Sequence, residues 1–123
     1  MSTILIVEDE FDIQQVVADV LRDEGYTVTL CGNGREALVR LREQRPDAVI
    51  MDVMMPILSG AEVLEVMRKT PELKEVPVIL MSETTPRSIE RTHWQVFLRK
   101  PFRLERLLEA VSQVIPPLTA GGR

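Results

Sequence analysis

Short, unbroken apolar runs alternate with amphipathic stretches along this chain. Thr3 to Val7 is the first run, rich in β-branched residues, and reads as a buried strand. From Phe11 to Glu24, residues Ile13, Val16, Val17, Val20 and Leu21 recur at the spacing of one helical face. Gly25 stands where such a helix would end. Tyr26 to Cys31 reads as a second strand. Arg35 to Gln44 reads as a helix with Ala37, Leu38 and Leu41 inward, broken by Pro46. Ala48 to Met51 makes a third strand ending at Asp52. Gly60 to Lys69 makes the next helix, Val78 to Met81 a fourth strand, and Val96 to Leu98 a short fifth. Arg103 to Val114 closes the series, with Leu104, Leu107, Leu108, Val111 and Val114 on one face.

Antiparallel strands with one wet face would alternate apolar and polar residues. These strands do not, so they predict a parallel sheet covered on both faces. The fold class is α/β, a three-layer open sandwich. Ligands in such folds bind beyond the carboxyl ends of the strands, where the strand order reverses.

Composition narrows the picture further. A chain of 123 residues is the size of one domain, and 45% apolar content argues against disorder. The net charge of −4 argues against a nucleic-acid surface covering this domain. The single cysteine, Cys31, allows no intrachain disulfide and no cysteine metal site, and fits a reducing compartment. No apolar run approaches the ~20 residues of a membrane span. The start "MSTILIVEDE" lacks a basic segment and a cleavage site. The expectation is a cytoplasmic domain over 1–116 with no membrane contact, followed by a flexible tail or the start of a linker over 117–123.

The first strand stops on three carboxylates, Glu8, Asp9 and Glu10. Like charges side by side repel, so their placement needs a reason. Asp52 falls just beyond the third strand, Ser82 beyond the fourth, and Lys100 follows the fifth. All of these polar residues therefore lie at the sheet edge where an α/β site belongs. Carboxylates held together demand a cation, and oxygen ligands suit Mg²⁺ better than zinc. A hard divalent ion, an ammonium and a hydroxyl at one rim suit a phosphoryl group. A carboxylate can attack phosphorus, and Asp52 is the central candidate. Glu8 and Asp9 alone could be a solvated strand end favoured by a helix dipole. The convergence with Asp52 and Lys100 outweighs that account.

Four motifs, in order, are similar to those of the response-regulator receiver domains of two-component signalling. They are "VEDE" at 7–10, "DVMMPILSG" at 52–60, "MS" at 81–82 and "LRKPF" at 98–102. The resemblance covers about residues 3–115. It implies a five-stranded sheet in the flavodoxin-like order 2-1-3-4-5. It implies that Asp52 accepts a phosphoryl group from a sensor histidine kinase or phosphotransfer protein. Asp9, Asp52 and the Met54 backbone carbonyl would hold Mg²⁺, with Mn²⁺ as a substitute and Glu8 reaching the metal through water. Lys100 would pair with the phosphoryl group, Ser82 would swing toward it, and Phe97 would relay that movement to an outer surface. Pro101 would follow a cis bond, and Pro56 and Gly60 would shape the loop after Asp52. The domain would be a switch rather than an enzyme, though it assists its own phosphotransfer and hydrolysis. It would act on an output domain or downstream protein, with a homodimer among the possible assemblies.

Several positions depart from the family pattern. Glu83 follows Ser82 where a small residue is usual, and a carboxylate there would repel a phosphodonor and partly occlude the pocket. The segment 83–99, "ETTPRSIERTHWQVFLR", is shorter than usual. Its helix, the fourth in the family's count, should be short, starting near Pro86, or irregular, and the output surface changes with it. Glu8 replaces a commoner Asp. Met54 flanks the place of the hydrolytic water and cannot orient it, so slow phosphate loss is expected. Most of the methionines read as core filling. His93 reads as a surface residue, and Trp94 as an anchor of core or interface. The alternative is a pseudo-receiver, an interaction module indifferent to phosphorylation. A metal-dependent phosphohydrolase would need an acid where Met54 stands. A nucleotide-binding module would need a glycine-rich loop after the first strand.

Overall fold

The computed structural model describes residues 2–87 and 89–115. The expected tail over 117–123 lies outside the described residues. Strands β1 (Thr3–Val7), β2 (Thr27–Cys31), β3 (Ala48–Asp52), β4 (Val78–Ser82) and β5 (Val96–Arg99) form one parallel sheet in the order β2-β1-β3-β4-β5. Helices α1 (Phe11–Asp23), α2 (Gly34–Glu43), α3 (Gly60–Lys69) and α4 (Leu104–Val114) cover its two faces.

Successive strand residues point to opposite faces, so each apolar run feeds two cores. Ile4, Ile6, Ile50, Ile79, Met81 and Leu98 face α1 and α4, against Val17, Ala18, Leu21, Leu107 and Val111. Leu5, Val7, Val49, Met51, Val78 and Leu80 face α2 and α3, against Ala37, Leu41, Val63, Leu64 and Met67. Every residue of β3 and β4 is buried. Each such aliphatic side chain contributes roughly 1.5–3 kcal/mol by leaving water. Three of the methionines, Met51, Met67 and Met81, are wholly buried core residues.

Local chemistry sets the helix ends. The Asn33 side chain accepts from the Glu36 N–H at 2.9 Å, so α2 begins at Gly34, one residue before the expected start. Ser59 and Glu62 close a reciprocal capping box on α3. Gly25 adopts φ +96° just after α1, the left-handed conformation that lets the chain leave the helix. Val16, expected on the buried face of α1, is half exposed, because Val17, Ala18 and Leu21 seat the helix on the sheet.

The segment between β4 and β5 takes the irregular form. Among the described residues it contains one 3₁₀ turn, Arg91–His93, and Pro86 opens no helix. Three features hold the segment in place of a helix. Ile89 is buried in the second core. Trp94 packs edge-on to Phe97, with ring centroids 6.1 Å apart, and Arg91 lies 4.1 Å over the Trp94 ring. Arg68 of α3 donates to the carbonyls of His93 at 2.8 Å, Leu73 at 3.3 Å and Lys74 at 3.0 Å. His93 itself is partly exposed and pairs with Glu90 at 3.1 Å. The Lys100–Pro101 peptide is cis. Among the described residues no helix is long and apolar enough to cross a membrane.

Candidate functional site

The strands run in parallel register, so their carboxyl ends finish at one level. Val7 pairs with Met51, Asp52 with Met81, and Ser82 with Arg99. The next residues along the chain therefore meet. Glu8 is 1% exposed and Asp52 5%, which is unusual burial for charged side chains, and Ser82 is 3% exposed. Asp9 is exposed beside them. One carboxylate oxygen from each of Glu8, Asp9 and Asp52 lies within 4.8 Å of the others.

Lys100 bridges the two buried acids. Its Nζ donates to Glu8 Oε1 at 2.8 Å and to Asp52 Oδ2 at 3.0 Å. The other oxygens are also held: Glu8 Oε2 accepts from the Glu10 N–H at 3.0 Å, and Asp52 Oδ1 from the Met54 N–H at 3.1 Å. Burial pushes the Glu8 carboxyl up to about 7, with the Asp52 charge adding to the shift and the bonds from Lys100 and the Glu10 N–H opposing it. Burial would lower the Lys100 ammonium, but its two carboxylate partners outweigh that and hold it above its ordinary value. One ammonium faces three clustered carboxylates, so negative charge is in excess. All the donors are oxygens, and the set fits a hard divalent cation.

Other expected site residues surround this centre. The Ser82 hydroxyl accepts from the Thr84 N–H at 3.3 Å. Phe97 sits half-buried against Trp94. The Met54 side chain projects into solvent, 73% exposed. Glu83 is exposed and, with Lys100, Pro101 and Phe102, lines a groove of about 410 Å³ beside the acids.

Two residues escaped the sequence-based reading. Gln14 donates to backbone carbonyls at the ends of β1 and β2, and only its place one turn into the helix after the acid run hints at this. Ile57, in the loop after Asp52, holds φ +72°. A branched side chain gives no sequence signal for that left-handed conformation.

The family model of the response regulator receiver domain matches residues 4–112, and the chain belongs to that family. Receiver domains are signalling domains rather than enzymes in the ordinary sense. The nitrogen assimilation regulatory protein NtrX of Azorhizobium caulinodans is 34% identical over 94% of this chain, and the chain spans 26% of that relative's length. The chemotaxis protein CheY4 of Vibrio cholerae is 33% identical with a TM-score of 0.85, covering 94% of this chain and 99% of its own. The response regulator TrrA of Thermotoga maritima, solved in complex with Mg²⁺ and BeF, is 32% identical with a TM-score of 0.85, covering 94% of this chain and 100% of its own.

Proposed function

We propose that this chain is a phosphorylatable switch in which Asp52 takes a phosphoryl group from the phosphohistidine of a sensor histidine kinase or phosphotransfer protein. The observation that carries this is the Lys100 ammonium bridging buried Asp52 and Glu8 within a cluster of three carboxylates. In the transfer, an Asp52 oxygen forms a bond to phosphorus as the donor's phosphorus–nitrogen bond breaks. The electron pair stays on the leaving imidazole nitrogen. Lys100, already beside Asp52, pairs with the phosphoryl oxygens, and the Ser82 hydroxyl turns from the Thr84 N–H to donate to one of them. Phe97 carries that movement toward the surface of β5. Asp9, Asp52 and the Met54 carbonyl would hold Mg²⁺ or Mn²⁺, with Glu8 contributing through water. The bound ion would supply positive charge for the oxygens of the transferring group. A cytoplasmic setting, an output domain or a downstream protein complete the reading. The bridged Asp52–Lys100 pair favours this reading over a pseudo-receiver. The deciding test is whether Asp52 takes up phosphoryl.

The acidic cluster should titrate visibly. Folding raises the Glu8 carboxyl from 4.5 to about 7, so the folded state binds more protons between those values. Stability from this group is present below pH 4.5 and is lost as pH rises through about 7. In metal-free protein the thermal midpoint of wild type, relative to Glu8→Gln, should fall between pH 5 and pH 8. Mg²⁺ should restore it at the upper end. Calorimetric Mg²⁺ affinity should weaken as pH drops below about 7, because a proton then occupies Glu8. A pH-independent affinity between 6 and 8 would contradict both.

Glu83 borders the entrance. Glu83→Ala removes one like charge facing an anionic donor, and exposed charge interactions are worth about 0.2–1 kcal/mol. Phosphoryl uptake from acetyl phosphate should therefore quicken about 1.4- to fivefold, read by time-resolved intact mass. Unchanged rates would mean that Glu83 does not influence access.

A further inference from the structure

Residues 8–10 carry three consecutive acids, and α1 begins at once after them. The N-cap, Glu10, makes no side-chain capping bond. The Glu8 side chain is engaged by Lys100 and by the Glu10 N–H. Repulsion among the acids favours opening of this loop; Lys100 opposes it at the Glu8 side chain, and the backbone needs its own restraint.

The Gln14 side chain holds its start. Its side-chain amide donates to the Glu8 carbonyl at 3.2 Å and to the Cys31 carbonyl at 3.0 Å. Its backbone N–H donates to the Glu10 carbonyl at 3.0 Å, while the Glu8 N–H donates to Cys31 at 3.0 Å. The side chain thus ties the start of the acid loop to the end of β2, while the backbone bond to Glu10 is the helical one that any residue here would make. An amide nitrogen has two donors, and both are used here. Leucine fills similar space but donates nothing. Asparagine is one methylene short.

We infer that Gln14 is a positioning residue for the acidic cation site: it fixes the Glu8–Glu10 backbone so that the Glu8 and Asp9 carboxylates stay beside Asp52. The inference rests on the proposed role of that cluster in holding a divalent cation. The Gln14 amide bonds to backbone carbonyls, so it acts through the loop rather than as a ligand.

The test is Mg²⁺ titration by calorimetry on wild type, Gln14→Leu and Gln14→Asn, with Val20→Ala as a control of equal kind. Val20 also lies on α1 but packs only against the core. Amide hydrogen exchange at Glu8 and Glu10, whose N–H groups are bonded to Cys31 and Glu8, is followed in metal-free protein. Outer partners of metal ligands typically control affinity about 10–100-fold, so Gln14→Leu should weaken Mg²⁺ binding about tenfold. It should also speed exchange at Glu8 and Glu10. Val20→Ala should lower the thermal midpoint and leave Mg²⁺ affinity unchanged. If Gln14→Leu does not fold, Gln14→Asn carries the same expectation. Mg²⁺ affinity equal to wild type in the Gln14 variants would overturn the inference alone. No Mg²⁺ binding by wild type would overturn the cation site and this inference with it.

Discussion

Incubated with acetyl phosphate and Mg²⁺, the wild-type protein gains one phosphoryl group by intact mass, and Asp52→Asn gains none. The substitution is close to isosteric. The carboxamide oxygen can accept from the Met54 N–H or from Lys100 but not from both, because the amide nitrogen then faces the other donor. What disappears is the anionic oxygen able to attack phosphorus. Loss should therefore be complete in protein that still folds, read by circular dichroism beside the mass measurement. Omitting Mg²⁺ should also suppress the adduct, because Lys100 alone cannot balance three carboxylates and an incoming phosphoryl group. An adduct that survives Asp52→Asn would place the acceptor elsewhere. No adduct on wild type that binds Mg²⁺ would favour the phosphorylation-independent alternative, unless Glu83→Ala restored uptake.

Gly60→Ala should be among the most damaging single-methyl changes in the chain. A Cβ at Gly60 would collide with the Asp52 carbonyl oxygen and lie 2.9 Å from the Val53 Cα. Both neighbours are backbone, so no side chain can swing aside. The Gly60 N–H also donates to the Val53 carbonyl at 2.9 Å, which ties the start of α3 to the end of β3. Overpacking of this kind costs typically 1–3 kcal/mol, and the backbone contacts place Gly60→Ala near about 3 kcal/mol. That lowers the thermal midpoint by about 10 °C in a domain of this size. Asp52 moves with its own carbonyl, so phosphoryl uptake should slow as well. Gly32→Ala is the control, since nothing lies within 4 Å of a Cβ there. Equal midpoints for the two variants would contradict the steric account.

The sandwich was legible because strands buried on both faces carry unbroken apolar runs. Ala48–Asp52 and Val78–Ser82 stand out for that reason. Helix α3 has the expected bounds, and the Ser59–Glu62 capping box that fixes its start is a local signal in the sequence. The acid cluster was legible from its strand ends: a charged residue directly after a buried parallel strand has one rim to occupy. The residues that hold the site were harder to see. Gln14 bonds to carbonyls 6 and 17 residues away, and any residue type offers a carbonyl. The path between β4 and β5 was legible only as a shortage of residues. Its substitute for a helix depends on Arg68 reaching backbone carbonyls and on two rings meeting, and neither has a periodicity.

That pairing of rings has a practical consequence. Trp94 is the protein's one tryptophan, held between the Arg91 cation and the edge of Phe97. Indole emission depends on nearby charge and ring contact, so the chain carries its own fluorophore against the ring proposed to turn on activation. Rearrangement of β5 or of the turn before it can be followed optically, in unlabelled protein and in real time.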